Sequence, residues 1–117
     1  MAFRFEHLEI WKESINFCKE IHNLVKKFPN EEKFILTDQL WRAAVSVPTN
    51  ISEGSGSNSI KDFQKFLNIS VKSIFEVVSL LVLSFENMYI SKEEFIDLKT
   101  RAEILVKRIQ SLSNSLK

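Results

Sequence analysis

The sequence predicts an all-α protein, an antiparallel up-down four-helix bundle occupying residues 1–117 as a single domain. Three observations carry that expectation. Glycine and proline occur only twice each in 117 residues, too seldom for a β-sandwich or barrel, which needs turn residues every ~8–12 positions. Apolar residues recur at steps of three and four through four separate stretches, the period of an amphipathic helix. The segments between those stretches are short, and short connections favour antiparallel neighbours.

The first helix is predicted from about His7 to Phe28. Leu8, Trp11, Ile15, Cys18, His22 and Val25 form one row, and Ile10, Phe17, Ile21, Leu24 and Phe28 form a second beside it. Together the rows cover roughly half the helix circumference, more than the ~100° stripe a surface helix needs. Phe28-Pro29 ends the helix, because a residue before proline avoids the α region.

The second helix is expected to begin between Asn30 and Thr37 and to carry Leu36, Leu40, Ala43, Ala44, Val47 and Ile51. That row continues past Pro48, so the sequence predicts a kink and not a break. Proline removes the bond to the Ala44 carbonyl, at about 3 kcal/mol if nothing compensates. Ser46, Thr49 and Asn50 are short polar side chains placed to satisfy freed backbone groups. Gly54 reads as the helix stop and Ser55-Gly56-Ser57-Asn58 as a loop.

The third helix opens with a capping box, Ser59 with Asp62, and is expected to reach about Met88. Nearly every direction between Val77 and Leu83 is apolar, which implies burial in something large or in a membrane. Glu76, Ser79, Ser84 and Glu86 interrupt the run below the ~18 uninterrupted apolar residues of a membrane span. Burial against protein is the reading that follows. The fourth helix starts at a second capping box, Ser91 with Glu94, with Ile90 and Phe95 placed as a hydrophobic staple. Phe95, Leu98, Ala102, Leu105, Ile109, Leu112 and Leu116 then step by three and four without a miss, as a bundle seam does.

Doubled apolar rows on the first and third helices offer more hydrophobic surface than one small bundle covers. That predicts a homo-oligomer. The alternative is that the two rows face two neighbours inside the same bundle.

Composition narrows function mainly by exclusion. Apolar residues are 44% and charged residues 26%, a globular balance and not that of a disordered tail. Sixteen Lys/Arg against fifteen Asp/Glu leave a net charge of +1, so bulk charge does not announce a nucleic-acid binder. A single cysteine, Cys18, allows neither an intrachain disulfide framework nor a Cys-rich zinc site. The early acid and absent apolar signal core of the opening residues point to a cytoplasmic protein.

No catalytic residue, metal site or cofactor site is predicted. Helical di-iron carboxylate centres need Glu-x-x-His pairs, but Arg4 and Lys19 stand three residues before His7 and His22. His22, on an apolar row, reads as a satisfied core or interface histidine. Cys18 reads as a small buried hydrophobe. Gly54-Ser55-Gly56 lacks the lysine and strand context of a phosphate loop.

Two polar sets stand out. Arg42, Ser46, Thr49, Asn50 and Glu53 fall within ~100° on the second helix, read as a structural network that repairs the kink and pairs Arg42 with Glu53 or with a neighbour across an interface. A ligand or nucleic-acid contact is the competing reading. Lys61, Lys65 and Lys72 lie on one line of the third helix, and Lys99, Arg101, Lys107 and Arg108 crowd the fourth. Such lines track phosphates, although a solvated face is the plainer explanation. No aromatic residue is visibly interleaved with them, so any nucleic-acid binding is expected to be sequence-tolerant and free of base stacking.

The runs Leu8-Glu9-Ile10-Trp11-Lys12, Phe28-Pro29, Gln39-Leu40-Trp41-Arg42-Ala43-Ala44-Val45-Ser46-Val47-Pro48-Thr49-Asn50-Ile51-Ser52-Glu53-Gly54 and Lys61-Asp62-Phe63-Gln64-Lys65-Phe66-Leu67 resemble a known family. It is the four-helix bundle family first noticed as products of intervening sequences in bacterial 23S ribosomal RNA genes. The accessory protein of diversity-generating retroelements is similar to it. The resemblance covers essentially the whole chain. It implies an antiparallel bundle assembled as a ring, in known cases a homopentamer. For the retroelement member it also implies binding to RNA or DNA and to a reverse transcriptase through a basic surface. It brings no catalytic residues. Two departures reduce basic surface here: Ser57-Asn58 follow the Glu-Gly turn where relatives often carry arginine, and Trp41 replaces an arginine common beside Arg42.

Overall fold

Four helices account for most of the chain in the computed structural model, which describes residues 3–117. They are α1 (Glu9–Val25), α2 (Leu36–Ser55), α3 (Ile60–Glu86) and α4 (Lys92–Ser115), with 3-10 turns at Arg4–His7 and Asn30–Glu32. No strand occurs among the described residues.

α1 is shorter than the sequence predicts at both ends. Leu8 is extended, and Lys27 and Phe28 donate to Leu24 and Val25 in the tighter bonds of a closing turn ahead of Pro29. The doubled rows part company. Ile10, Phe17, Ile21, Leu24 and Phe28 are buried, while Trp11, Ile15 and Val25 are only half-buried and His22 is exposed.

α2 runs without a break through Pro48. The Ala44 carbonyl, whose helical donor would be the missing proline N–H, accepts the Cys18 thiol instead at 3.1 Å. That corrects the expectation for Ser46, Thr49 and Asn50, which bond elsewhere: Thr49 Oγ1 donates to the Val45 carbonyl and Asn50 Nδ2 to the Ser46 carbonyl. Gly54 does not stop the helix, which continues to Ser55 and is capped by Gly56. Its role is close approach. A Cβ on Gly54 would stand 2.6 Å from the Phe66 Cβ, so α2 and α3 touch there through a missing side chain.

α3 begins as half of the predicted box. Ser59 Oγ accepts the Asp62 N–H at 3.1 Å, but the Ser59 N–H does not donate back to the Asp62 carboxylate. Aspartate is one methylene shorter than the glutamate that closes the box. α3 ends in paired bonds from Met88 N–H to Phe85 and from Tyr89 N–H to Ser84, with Met88 left-handed at φ 61°. The Ser91–Glu94 box before α4 is complete in both directions.

One hydrophobic core joins all four helices, with Ile21, Leu40, Ile51, Leu67, Ile74, Leu81 and Ile109 enclosed at its centre. α2 and α3 pack most extensively, and two small residues fill their contact: Ser70 donates to the Val47 carbonyl, and the Ser73 and Ser46 hydroxyls share a hydrogen bond. α1 touches α2 and α4, and α3 touches α2 and α4. The helices thus form a closed circuit in which each is flanked by two neighbours. By length and composition alone α3 is long and apolar enough to cross a membrane, yet its inner rows are packed against two neighbours. Its outer face keeps Phe75, Val82 and Leu83 at 63%, 41% and 49% exposure. The two rows are therefore not both satisfied within the bundle.

Candidate functional surfaces

A groove of about 750 Å³ runs along the α1/α2 seam. Trp11 and Ile15 of α1 and Trp41, Val45 and Pro48 of α2 line it. Phe5 joins the lining edge-on to Trp11 at 4.9 Å, and His22 tilts against Trp41 at 5.3 Å. His22 is therefore a groove-edge residue, which corrects the reading of it as core; an interface role remains open to it. Lys19 and His22 are the basic lining residues, and the lining includes no carboxylate. Cys18 lies beneath, where burial pushes its thiol up to about 11. A thiol held protonated is a donor and not a nucleophile, which suits the bond to Ala44.

A second groove of about 560 Å³ follows the α3/α4 seam. Phe75, Val78 and Val106 line it, flanked by Lys99, Lys107 and Glu103. The exposed Phe75 corrects the expectation that no aromatic lies among the basic residues. The sequence held the signal, because Phe75 stands three residues after Lys72 on the same helix.

The seven predicted basic residues are all exposed but do not form one surface. Lys61, Lys65 and Lys72 lie along outer α3 and have no ion-pair partner among the described residues. Lys99 and Lys107 flank the second groove. Arg101 pairs with Asp97 at 3.2 Å, and Arg108 pairs with Glu13 of α1. The α2 polar set also divides. Ser46 and Asn50 join Ser73 in a half-buried network with α3, whereas Arg42 turns outward to Asp38 at 2.9 Å and Glu53 is exposed. Arg42 thus makes its ion pair one turn back and not with Glu53.

Other charges serve as fasteners at the end where α3 passes into α4. Lys27 bonds Glu94, and this bond together with the Ser91 N–H holds the Glu94 carboxyl below its ordinary range. Tyr89 donates to Glu32 at 2.8 Å, which raises the phenol above its ordinary value. No group of three or more His, Cys, Asp or Glu side chains is arranged to hold a metal among the described residues. No buried side-chain polar atom there lacks a hydrogen-bond partner.

What the geometry defines is a helical-bundle protein whose unspent chemistry is apolar groove and basic surface, with no acid, base and nucleophile brought together among the described residues. Residues 6–111 match the family described as 23S rRNA-intervening sequence protein. The chain belongs to that family. It is also similar to a solved structure from Bacteroides thetaiotaomicron, described as a protein of unknown function from the S23 ribosomal protein family. That protein is 29% identical, with a TM-score of 0.83 over 91% of this chain and 99% of the other. Neither description names a catalytic activity. A comparison with curated proteins finds no match.

Proposed function

We propose that this protein is a non-enzymatic oligomeric scaffold of the cytoplasm that binds RNA, DNA or a ribonucleoprotein partner through its basic surface. A reverse transcriptase is one candidate protein partner; a membrane is not. In this reading the helices alternate up and down, α2 bends at Pro48, and subunits close into a ring of five. The closed helix circuit and short connections support the alternation. The observation that carries the assembly is uncovered apolar surface on two different seams, since exposed patches of that kind mark interfaces. A ring would repeat Lys61, Lys65 and Lys72 around its circumference, so a subunit of charge +1 still presents a band of free lysines.

The second reading is a purely protein-binding ring. Arg101 and Arg108 favour it, because Asp97 and Glu13 already engage them.

Titration of structured RNA and duplex DNA at several salt concentrations separates the two. Phosphate binding should weaken by about 0.7–0.9 log units per log unit of salt for each phosphate neutralised. Lys61/Lys65/Lys72→Glu should abolish it. Absence of binding at low salt would leave the protein-binding ring.

A further inference from the structure

We infer that the α1/α2 groove receives the outer face of α3 from a second copy of this chain, so that subunits join head to tail. The inference rests on the oligomeric reading above and specifies the surfaces that carry it. Two surfaces on one molecule match in chemistry. The α1/α2 groove is apolar, lined by Trp11, Ile15, Trp41, Val45 and Pro48. Outer α3 carries an exposed line, Phe75, Ser79, Val82 and Glu86, at steps of four, three and four, with Phe75 and Ser79 also bordering the α3/α4 groove. A helix docking in a groove is read through anchors at that spacing. Phe75 and Val82 are the anchors, and Ser79 between them is small enough for close approach.

Charge agrees. The groove has Lys19 and His22 and no carboxylate in its lining, while residues 73–86 of α3 carry Glu76 and Glu86 and no base. Area agrees as well. The chain exposes 7357 Å², whereas a monomer of 13.6 kDa is expected to expose about 6,600 Å². The surplus is of the order of the ~800 Å² that one partner contributes to a standard interface.

The circuit α1–α2–α3–α4 sets the α1/α2 seam opposite the α3 and α4 side of the bundle. Two copies cannot satisfy both surfaces reciprocally about a two-fold axis. The contact is heterologous, and repetition closes a ring or runs on as a filament.

Cysteine cross-linking tests this directly. Lys19→Cys and Ser79→Cys are exposed substitutions, and the native Cys18 is buried, so the parent chain is the blank. The double variant should oxidise into a covalent ladder longer than a dimer, while each single variant stays uncross-linked. Phe75→Ser should shift the assembly toward monomer in light scattering with helix content unchanged. Self-linking of a single variant, a ladder that stops at dimer, or an intact assembly with no cross-link in the double variant would each overturn the head-to-tail surface while leaving oligomerisation standing. A monomeric parent near 13.6 kDa would overturn both.

Discussion

Ala44 loses its helical hydrogen-bond donor to Pro48, and its carbonyl lies in a buried position where water cannot replace it. An unmet acceptor there costs about 1–3 kcal/mol. Cys18 meets it across the α1/α2 contact, which ties an apparent small hydrophobe to the one residue that disturbs α2. The bond requires the thiol proton. Burial raises the Cys18 pKa from its ordinary 9.0 to about 11, so the unfolded chain ionises first as pH rises. The stabilisation is complete below pH 9 and is lost as pH climbs through about 11. At 1.36 kcal/mol per unit the loss approaches 2–3 kcal/mol. Urea denaturation of the parent and of Cys18→Ala between pH 8 and 11 should show the parent falling more steeply, with the two curves converging. Parallel curves would remove the thiol from the account.

At the scale of the elements, periodicity carried most of the fold and local chemistry most of the boundaries. The four helices, the Ser91–Glu94 box and the passage of α2 through Pro48 were legible because each depends on neighbours within about four residues. Gly54 was misread as a stop because its real constraint is Phe66, twelve residues on in another helix. Cys18 and Ala44 are farther apart still, and no local pattern pairs them. Which apolar row faces inward was equally hidden, since periodicity defines a face but not its partner, and Phe75 went unnoticed as an exposed residue for that reason. The α3 terminus shows the same limit. Its closing bonds want a left-handed residue, the usual place for glycine, but Met88 occupies it at φ 61° with 88% of its surface exposed. Met88→Gly should relieve the strain and stabilise the protein by about 0.5–1 kcal/mol in thermal or urea unfolding. A destabilised variant would mean that the exposed methionine side chain makes a contact that outweighs the strain.

For the molecule as a whole, stability and assembly become one quantity if the uncovered surfaces meet only in a neighbour. An elongated body of 44 × 24 × 21 Å with half-exposed Phe75, Val82 and Trp41 leaves apolar area in water that each association removes. A folded subunit that binds its neighbours while the unfolded chain does not is stabilised by mass action, so its melting temperature depends on protein concentration. Tenfold dilution weakens each association by about 1.4 kcal/mol. Unfolding entropy near 2.1 cal/mol/K per residue makes 1 kcal/mol worth about 4 °C in a chain of this length. Calorimetry across a hundredfold range of concentration should therefore show the melting temperature dropping by roughly 3–6 °C per tenfold dilution. Phe75→Ser should flatten that dependence by removing an exposed anchor while leaving the buried core, Ile21, Leu40 and Ile74 among it, unchanged. A melting temperature independent of concentration in the parent would show that these surfaces contribute nothing to stability through self-association, and that the bundle reaches its full stability alone.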